Sequence, residues 1–179
     1  LNKNKNHIQV INAIGSLKKS YSNIKLICIG DGNMMQSLKK EIISKDLQNN
    51  IFMLGYREDV NELINISDIG ILMSYREGLP RNIMEFMACG RKVIATNIRG
   101  CRDLVCNENV GILVKVGDFD TTAKAIEKYY LLKDKTFRIP DEIIKYDIKS
   151  VNKELLKIYE EIELGINSER GISSYVSSR

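Results

Sequence analysis

The chain has 179 residues, about one ordinary domain at roughly 150 residues each, and a chain of that size needs no disulfides to fold. Apolar residues make up 44% and charged residues 28%, which excludes a disordered or fibrous chain. Lysine plus arginine exceed aspartate plus glutamate by 27 to 23, and the resulting charge of +4 is too small and too dispersed to argue for a nucleic-acid partner.

Two prolines, Pro80 and Pro140, favour helices with short connections over a many-turned β sandwich. No apolar run approaches the roughly 20 residues that cross a bilayer, and the polar start, residues 1–6, is not followed by the apolar core of a leader peptide. Cys28 and Cys89 lie inside apolar segments and are expected as reduced, buried thiols, whereas Cys101 and Cys106 lack the spacing of a zinc site. The expected compartment is the cytoplasm.

Two periods alternate along the chain. Val10, Ile11, Ile14 and Leu17 recur at helical spacing, and residues 24–29 then form a nearly continuous apolar run ended by Gly30-Asp31-Gly32. That run predicts a strand buried on both faces. Met34, Met35, Leu38, Ile42 and Ile43 form a second helical stripe, residues 51–54 a second strand ending at Gly55, residues 60–66 a short helix and residues 68–73 a third strand. Ile83, Met84, Phe86 and Met87 predict a helix stopped at Cys89-Gly90, with glycine as its left-handed cap. Strands at 92–95 and 111–114 follow, then helices over about 121–131 and 148–162. Short strands separated by helices mean repeated β-α units, so the fold class is α/β with a doubly wound, Rossmann-like parallel sheet.

The first helix starts within about seven residues of Leu1, and the strand that should precede it is absent. The expectation is therefore a domain over residues 1–163 that began after a strand, or a whole domain, of a larger protein. Residues 164–179, rich in serine and poor in apolar periodicity, are expected to be a disordered tail.

Ligands of an open parallel sheet bind beyond the carboxyl ends of its strands. Four stretches are expected there: the region of Lys5, Gly30-Asp31-Gly32, Gly55-Tyr56-Arg57 and the run 74–80. In the last, Gly78 frees the backbone and Pro80 suits the first position of a helix. The unpaired amides of Gly78, Leu79, Arg81 and Asn82 would then suit a phosphate. Glu77 and Glu85 accompany them, and acids beside an anion site need a reason. An ionised carboxylate accepts hydrogen bonds from hydroxyls, so a ligand with phosphates in the middle and a sugar at each end supplies one. A nucleotide-sugar has that layout.

The string from Glu77 to Gly90, followed by Val93-Ile94-Ala95-Thr96 and Gly100, resembles the E-x7-E signature of retaining glycosyltransferases of family 4, the two-domain GT-B type. The start of the chain looks like the end of that family's Gly-Arg-Leu…Lys-Gly segment, with Lys5 at the lysine and Asn6 where glycine is usual. Residues 26–32, 54–60 and 109–118 resemble further family segments in the same order, so the likeness covers about residues 1–161. It implies the donor-binding half of a GT-B enzyme, with the N-terminal acceptor domain absent from this chain. Glu85 would hold ribose hydroxyls, Glu77 the hydroxyls of the transferred sugar with the amides of Gly78 and Leu79 nearby, and Lys5 the diphosphate. Arg81 is the first of the nearby arginines expected to face the diphosphate. Gly30 and Gly32 would admit close backbone approach, and Tyr56 and Arg57 would border the base. The family's partner arginine would stand just before Leu1. Departures are Asn6, Phe86 for alanine and Arg91 at a variable position.

The resemblance further implies a UDP-sugar as donor and a glycan or lipid-linked acceptor, with peripheral membrane association of the full enzyme at the inner face. No cofactor and no metal are expected. The third glycine of a dinucleotide fingerprint is replaced by Met35, no P-loop occurs, and Asp118-Phe119-Asp120 reads as a helix cap rather than a metal motif. His7 is expected in a surface or capping role. A non-catalytic module of the same fold is the alternative from another class, and an epimerase or phosphorylase of related architecture is a third reading.

Overall fold

The structure, a computed structural model, describes residues 1–132 and 138–163, and the expectation for residues 164–179 lies outside the described residues. Two units divide the chain, Leu1–Pro140 and Asp141–Arg179.

In the first unit, α1 (His7–Leu17) leads to β1 (Leu26–Ile29), α2 (Met35–Ser44) and β2 (Ile51–Gly55). Then come α3 (Val60–Ile66), β3 (Ile69–Leu72), α4 (Arg81–Ala88), β4 (Lys92–Thr96), α5 (Arg99–Arg102), β5 (Gly111–Val114) and α6 (Phe119–Leu131). Each described pairing is parallel: β1 with β2, β3 with β4, and β4 with β5. Helix α1 packs on α6 and α2, while α3 packs on α4, so helices cover both faces of the strands. The fold is α/β and Rossmann-like, with the alternation in the order the periodicity predicts.

Local chemistry sets these boundaries. Val10, Ile11, Ile14 and Leu17 of α1 are buried on one stripe. The Asp118 carboxylate accepts the Thr121 amide at 2.9 Å and starts α6, which begins at Phe119, earlier than predicted. That hydrogen bond holds the Asp118 carboxyl below its usual range. At the other end of α4, Gly90 adopts φ +69°, and the amides of Gly90 and Arg91 bond to the carbonyls of Met87 and Phe86. These two bonds satisfy the last carbonyls of the helix in a left-handed cap.

Several details differ from the expectation. Pro80 precedes α4 as its N-cap, at ψ 105°, instead of opening the first turn. The short helix α5 and a 3-10 turn at Lys3–Lys5 carry too few residues to show a period. The strands form two sheets, β1-β2 and β3-β4-β5, rather than one. As a result β1 is not buried on both faces: Cys28 is, but Leu26, Ile27 and Ile29 are half-buried. Strand β4, paired on both sides, carries the buried run from Val93 to Thr96 instead.

The second unit holds a 3-10 turn, Asp141–Tyr146, and α7 (Ile148–Glu163). The Asp147 carboxylate accepts the Lys149 amide at 3.1 Å at the start of α7. No described helix is long and apolar enough to cross a membrane.

Phe86, the departure from alanine, has a local explanation. Its ring lies over Gly70 of β3, where an added Cβ would stand 2.5 Å from the ring's Cγ. Gly70→Ala is therefore expected to destabilise the fold by about 1–3 kcal/mol through overpacking. In Gly70→Ala combined with Phe86→Ala the two effects should be strongly non-additive, because the second change removes the clash. Urea unfolding of the two single variants and the double variant measures this directly.

Candidate functional site

The carboxyl ends of β1 and β3 are drawn together by the first residues of the chain. The Leu1 amino group donates to the Asp31 carbonyl beyond β1, and the Met34 amide donates to the Leu1 carbonyl at 3.3 Å. Three residues on, the Asn4 carbonyl accepts the Tyr75 amide at 2.8 Å beyond β3. The Asn4 side chain is clasped on both sides, donating to the Arg76 carbonyl at 2.7 Å and accepting the Arg76 amide at 3.2 Å. Residues 1–5 thus form a strap between two strand ends, and the strap delivers Lys5.

Asn6 follows at φ 42° and ψ 48°, a left-handed conformation that favours glycine and tolerates asparagine next. Its amide side chain donates to Gln9 Oε1 at 2.8 Å. Gln9, itself buried, also accepts the Gly117 amide and donates to Thr122 Oγ1, which ties the start of α1 to the β5–α6 loop. The change from the family's glycine is thereby accommodated.

Lys5 Nζ meets Glu77 Oε1 at 2.7 Å. The same oxygen accepts the Ser74 hydroxyl at 2.6 Å, and the Ser74 carbonyl in turn accepts Thr96 Oγ1 at 2.6 Å. Ser74 and Thr96 are fully buried, and the Glu77 side chain is only 15% exposed. A carboxylate so placed depends on both partners. Removing Lys5 leaves the charge on one hydroxyl, at a cost of about 1–3 kcal/mol. Behind this group stands Gly100 of α5. A Cβ there would lie 1.9 Å from the Gly78 carbonyl, so only glycine lets α5 support the loop at this distance. Sequence reasoning singled out Glu77 and Lys5 but not Ser74, Asn4 or Thr96. Their available signal was position at or just beyond a strand end.

The loop after Glu77 carries unused donors. Among the described residues, no hydrogen bond is formed by the backbone amides of Gly78, Leu79, Arg81 or Asn82; Ile83 is the first to donate, to the Pro80 carbonyl at 3.1 Å. Leu79 and the Arg81 side chain are exposed. Glu85 is exposed on α4 and, with Asn82 and Phe86, borders a cleft of about 670 Å³ whose wall also includes Lys5.

The other predicted residues have partners within the fold. Gly32, at φ +155°, faces the Leu1 backbone, its Cβ position 2.1 Å from the Leu1 carbonyl oxygen, so its close approach is to the strap. Gly30, at φ +107°, has open space where a Cβ would stand, and its amide donates to the Gly55 carbonyl at 2.6 Å. The Tyr56 amide is taken by the Asp31 carboxylate at 3.0 Å, while its ring is exposed. Arg57 forms a two-pronged pair with Asp59, which raises the guanidinium and lowers the carboxyl relative to their ordinary values. No group of acids, histidines and cysteines able to hold a metal occurs among the described residues.

Two of the thiols, Cys28 and Cys101, are poor nucleophiles. Burial pushes Cys28 and Cys101 up to about 11, with the Glu77 charge adding to the effect at Cys101. Both are free and buried, Cys89 is half-buried where a buried thiol was expected, and Cys106 is exposed.

A helix start, a lysine and Glu77 lie beyond the strand ends, with Glu85 on the helix that follows, and open α/β folds bind their ligands on this side of the sheet. The chain belongs to the family of glycosyl transferases group 1, whose model matches residues 1–149. It is 34% identical over 130 residues to the putative glycosyltransferase EpsD of Bacillus subtilis, a match covering 73% of this chain and 34% of that protein. To the Escherichia coli UDP-Gal:alpha-D-GlcNAc-diphosphoundecaprenol alpha-1,3-galactosyltransferase it is 34% identical over 101 residues, 56% of this chain and 26% of that one. The crystal structure of Anabaena Alr3699/HepE in complex with UDP shares the fold, with a TM-score of 0.80 at 23% identity over 90% of this chain and 46% of that chain. The match thus covers only about a quarter to a third of the length of these two curated relatives.

His7, foreseen at a surface or cap, opens α1 but is half-buried. Burial, reinforced by the positive charges of the Leu1 amino group and Lys5, lowers its pKa from 6.5 to about 4. Between those two values the unfolded chain binds a proton that the folded chain excludes. Stability is therefore expected to be unaffected by His7 above about pH 6.5, to fall on acidification and to level off near pH 4. With screening at a half-buried site the loss is on the order of 1–2 kcal/mol. Urea unfolding at pH 7.5 and 5.0 should show it, and a His7→Gln variant should lose correspondingly less.

Proposed function

We propose that this chain is the donor-binding half of a retaining glycosyltransferase that moves a sugar from a nucleotide-diphosphate sugar, a UDP-sugar, to a lipid-linked or glycan acceptor. The observation that carries this reading is Lys5 held on one oxygen of Glu77 beside the unused amides of Gly78, Leu79, Arg81 and Asn82. Cationic and neutral donors converge there with a carboxylate, the set needed by a molecule that is anionic in its middle and hydroxylated at its ends.

In the transfer, the bond from the anomeric carbon to the diphosphate oxygen breaks, and its electron pair leaves with the diphosphate. Lys5, the helix-start amides and Arg81 compensate that developing charge without a metal. Ser74 and Lys5 occupy Glu77 Oε1 and leave Oε2 to accept hydroxyls of the transferred sugar. Glu85, exposed at the cleft, accepts the ribose hydroxyls. The acceptor hydroxyl oxygen bonds to the anomeric carbon on the face that the diphosphate leaves, its proton passing to the departing diphosphate oxygen, so the anomeric configuration is kept. The E. coli relative's named substrate supports a UDP donor and a lipid-linked acceptor. Such an acceptor would bring the full enzyme to the inner face of the membrane. The acceptor is bound by a further domain, so this half binds donor but transfers nothing by itself.

Titration calorimetry with UDP tests the reading. Glu85→Ala should weaken binding at least tenfold, and unchanged affinity would refute the assignment. Lys5→Ala should weaken it further, by about 10–100-fold, as expected for loss of a charged hydrogen bond of roughly 1.5–3 kcal/mol. Glu77→Gln should act in the opposite direction on UDP alone. It frees Lys5 from a competing carboxylate and should tighten UDP binding a few-fold, while abolishing any extra affinity for a UDP-sugar over UDP. A Glu77 whose role is only structural would weaken both ligands alike.

A further inference from the structure

Lys5 and Glu77 are brought together by the residues that immediately precede them. On the strap, the Asn4 side chain grips the backbone of Arg76 at both of its polar groups. Its Nδ2 donates to the Arg76 carbonyl at 2.7 Å, and its Oδ1 accepts the Arg76 amide at 3.2 Å. The Asn4 carbonyl adds a third bond, accepting the Tyr75 amide at 2.8 Å. One residue further along each segment, Lys5 Nζ meets Glu77 Oε1 at 2.7 Å. We propose that Asn4 is a positioning residue of the site: it registers the strap against the loop after β3 and so sets, through Lys5, the affinity for a diphosphate. The inference rests on the donor-site reading for its ligand and on the clasp alone for the register.

Three features single out this side chain. First, the two segments lie 72 positions apart in the chain, so bonds between them must fix their register. Every residue offers a backbone donor and acceptor, so the Tyr75 contact by itself does not distinguish one register from the next. A two-point grip on a single residue does. Second, only asparagine has the parts for it. Its amide holds a donor and an acceptor on one short planar group. Aspartate has acceptors alone, serine has a single polar atom, and glutamine adds a methylene with another rotor to hold.

Third, Lys5 needs an external constraint. Its ammonium ends a flexible four-carbon stem, and its side chain is 38% exposed. A pair formed by such a stem is weak, because holding the stem in one geometry costs rotamer freedom. Glu77 has a second anchor in Ser74, whereas the Lys5 ammonium has no second hydrogen-bond partner among the described residues. The clasp supplies what the stem lacks. With Asn4 fixed on Arg76, and the Lys5 amide donating to Asn2 Oδ1 at 3.2 Å, the stem starts from a fixed point close to Glu77.

Calorimetry with UDP in two backgrounds tests the assignment. Asn4→Ala should weaken UDP binding about tenfold, the scale of a charged donor that is no longer held in place. In the Lys5→Ala chain the same change should weaken it less than about twofold, because the group through which Asn4 acts is gone. A purely structural Asn4 would cost the same factor in both backgrounds, and that result overturns the proposal. So does an Asn4→Ala chain that binds UDP as the unaltered chain does while Lys5→Ala does not. Asn4→Ser keeps one of the two side-chain bonds and should lose less. It takes the place of Asn4→Ala in both backgrounds if the alanine variant does not fold. A ligand-free measurement separates this inference from the donor-site reading. The Lys5 ammonium signal in nitrogen-15 NMR spectra, slowed in exchange by Glu77, should be seen in the unaltered chain and lost in Asn4→Ala. If Lys5→Ala leaves UDP binding unchanged, the donor-site reading fails. A Lys5 signal that persists in Asn4→Ala overturns the positioning role whatever UDP does.

Discussion

Everything at the candidate site depends on one short ion pair, Lys5 to Glu77, which adds a charged contact to the Asn4 clasp between the strap and the loop after β3. Lys5 arrives on the strap, Glu77 on the loop after β3. The pair is more than a surface contact of the kind formed by Lys18 and Asp46, which is worth at most about 1 kcal/mol in a screened setting. Glu77 is mostly shielded, and its charged oxygen is also bonded to a buried hydroxyl. Shielding strengthens the attraction and raises the cost of losing either partner.

That pair is in turn held from behind. Thr96 at the end of β4 fixes Ser74 through its carbonyl, Ser74 fixes Glu77, and Gly100 permits α5 to press against the next peptide. Ser74 follows β3, but Thr96 and Gly100 come from β4 and the segment after it, and β4 is paired on both sides and buried from Val93 to Thr96. The site therefore rests on the best-paired strand of the first unit, while its cation is supplied from across the open cleft.

The fold was legible in the sequence wherever a period repeated. The stripe of α1, the cap at Gly90 and the short apolar runs of β3 and β5 lie where residue spacing places them, because burial of one face is a local pattern with a global cause. What escaped was set by contacts between distant segments. Half-burial of β1 reflects the absence of a neighbour, which no property of residues 26–29 records. Pro80 stands one residue ahead of its expected place because loop geometry, not propensity, fixes the helix start.

The site divides the same way. Glu77, Glu85 and Lys5 were visible because charged residues near strand ends need partners, and the motif spacing drew attention to them. Ser74, Asn4 and Thr96 were not, since small polar residues are ordinary in loops and strand ends, and their roles arise only when β3, β4 and the strap converge. Gly32 shows a second role that a strand-end glycine can take. Its place after a strand end pointed to close backbone approach, and the group filling the space of its absent side chain is the Leu1 backbone. A glycine reports that something approaches closely; the fold decides whether that is a substrate or the chain itself. Here it is the strap, so the glycine acts on ligand binding through Lys5 by letting the strap lie close enough to bring the lysine to Glu77.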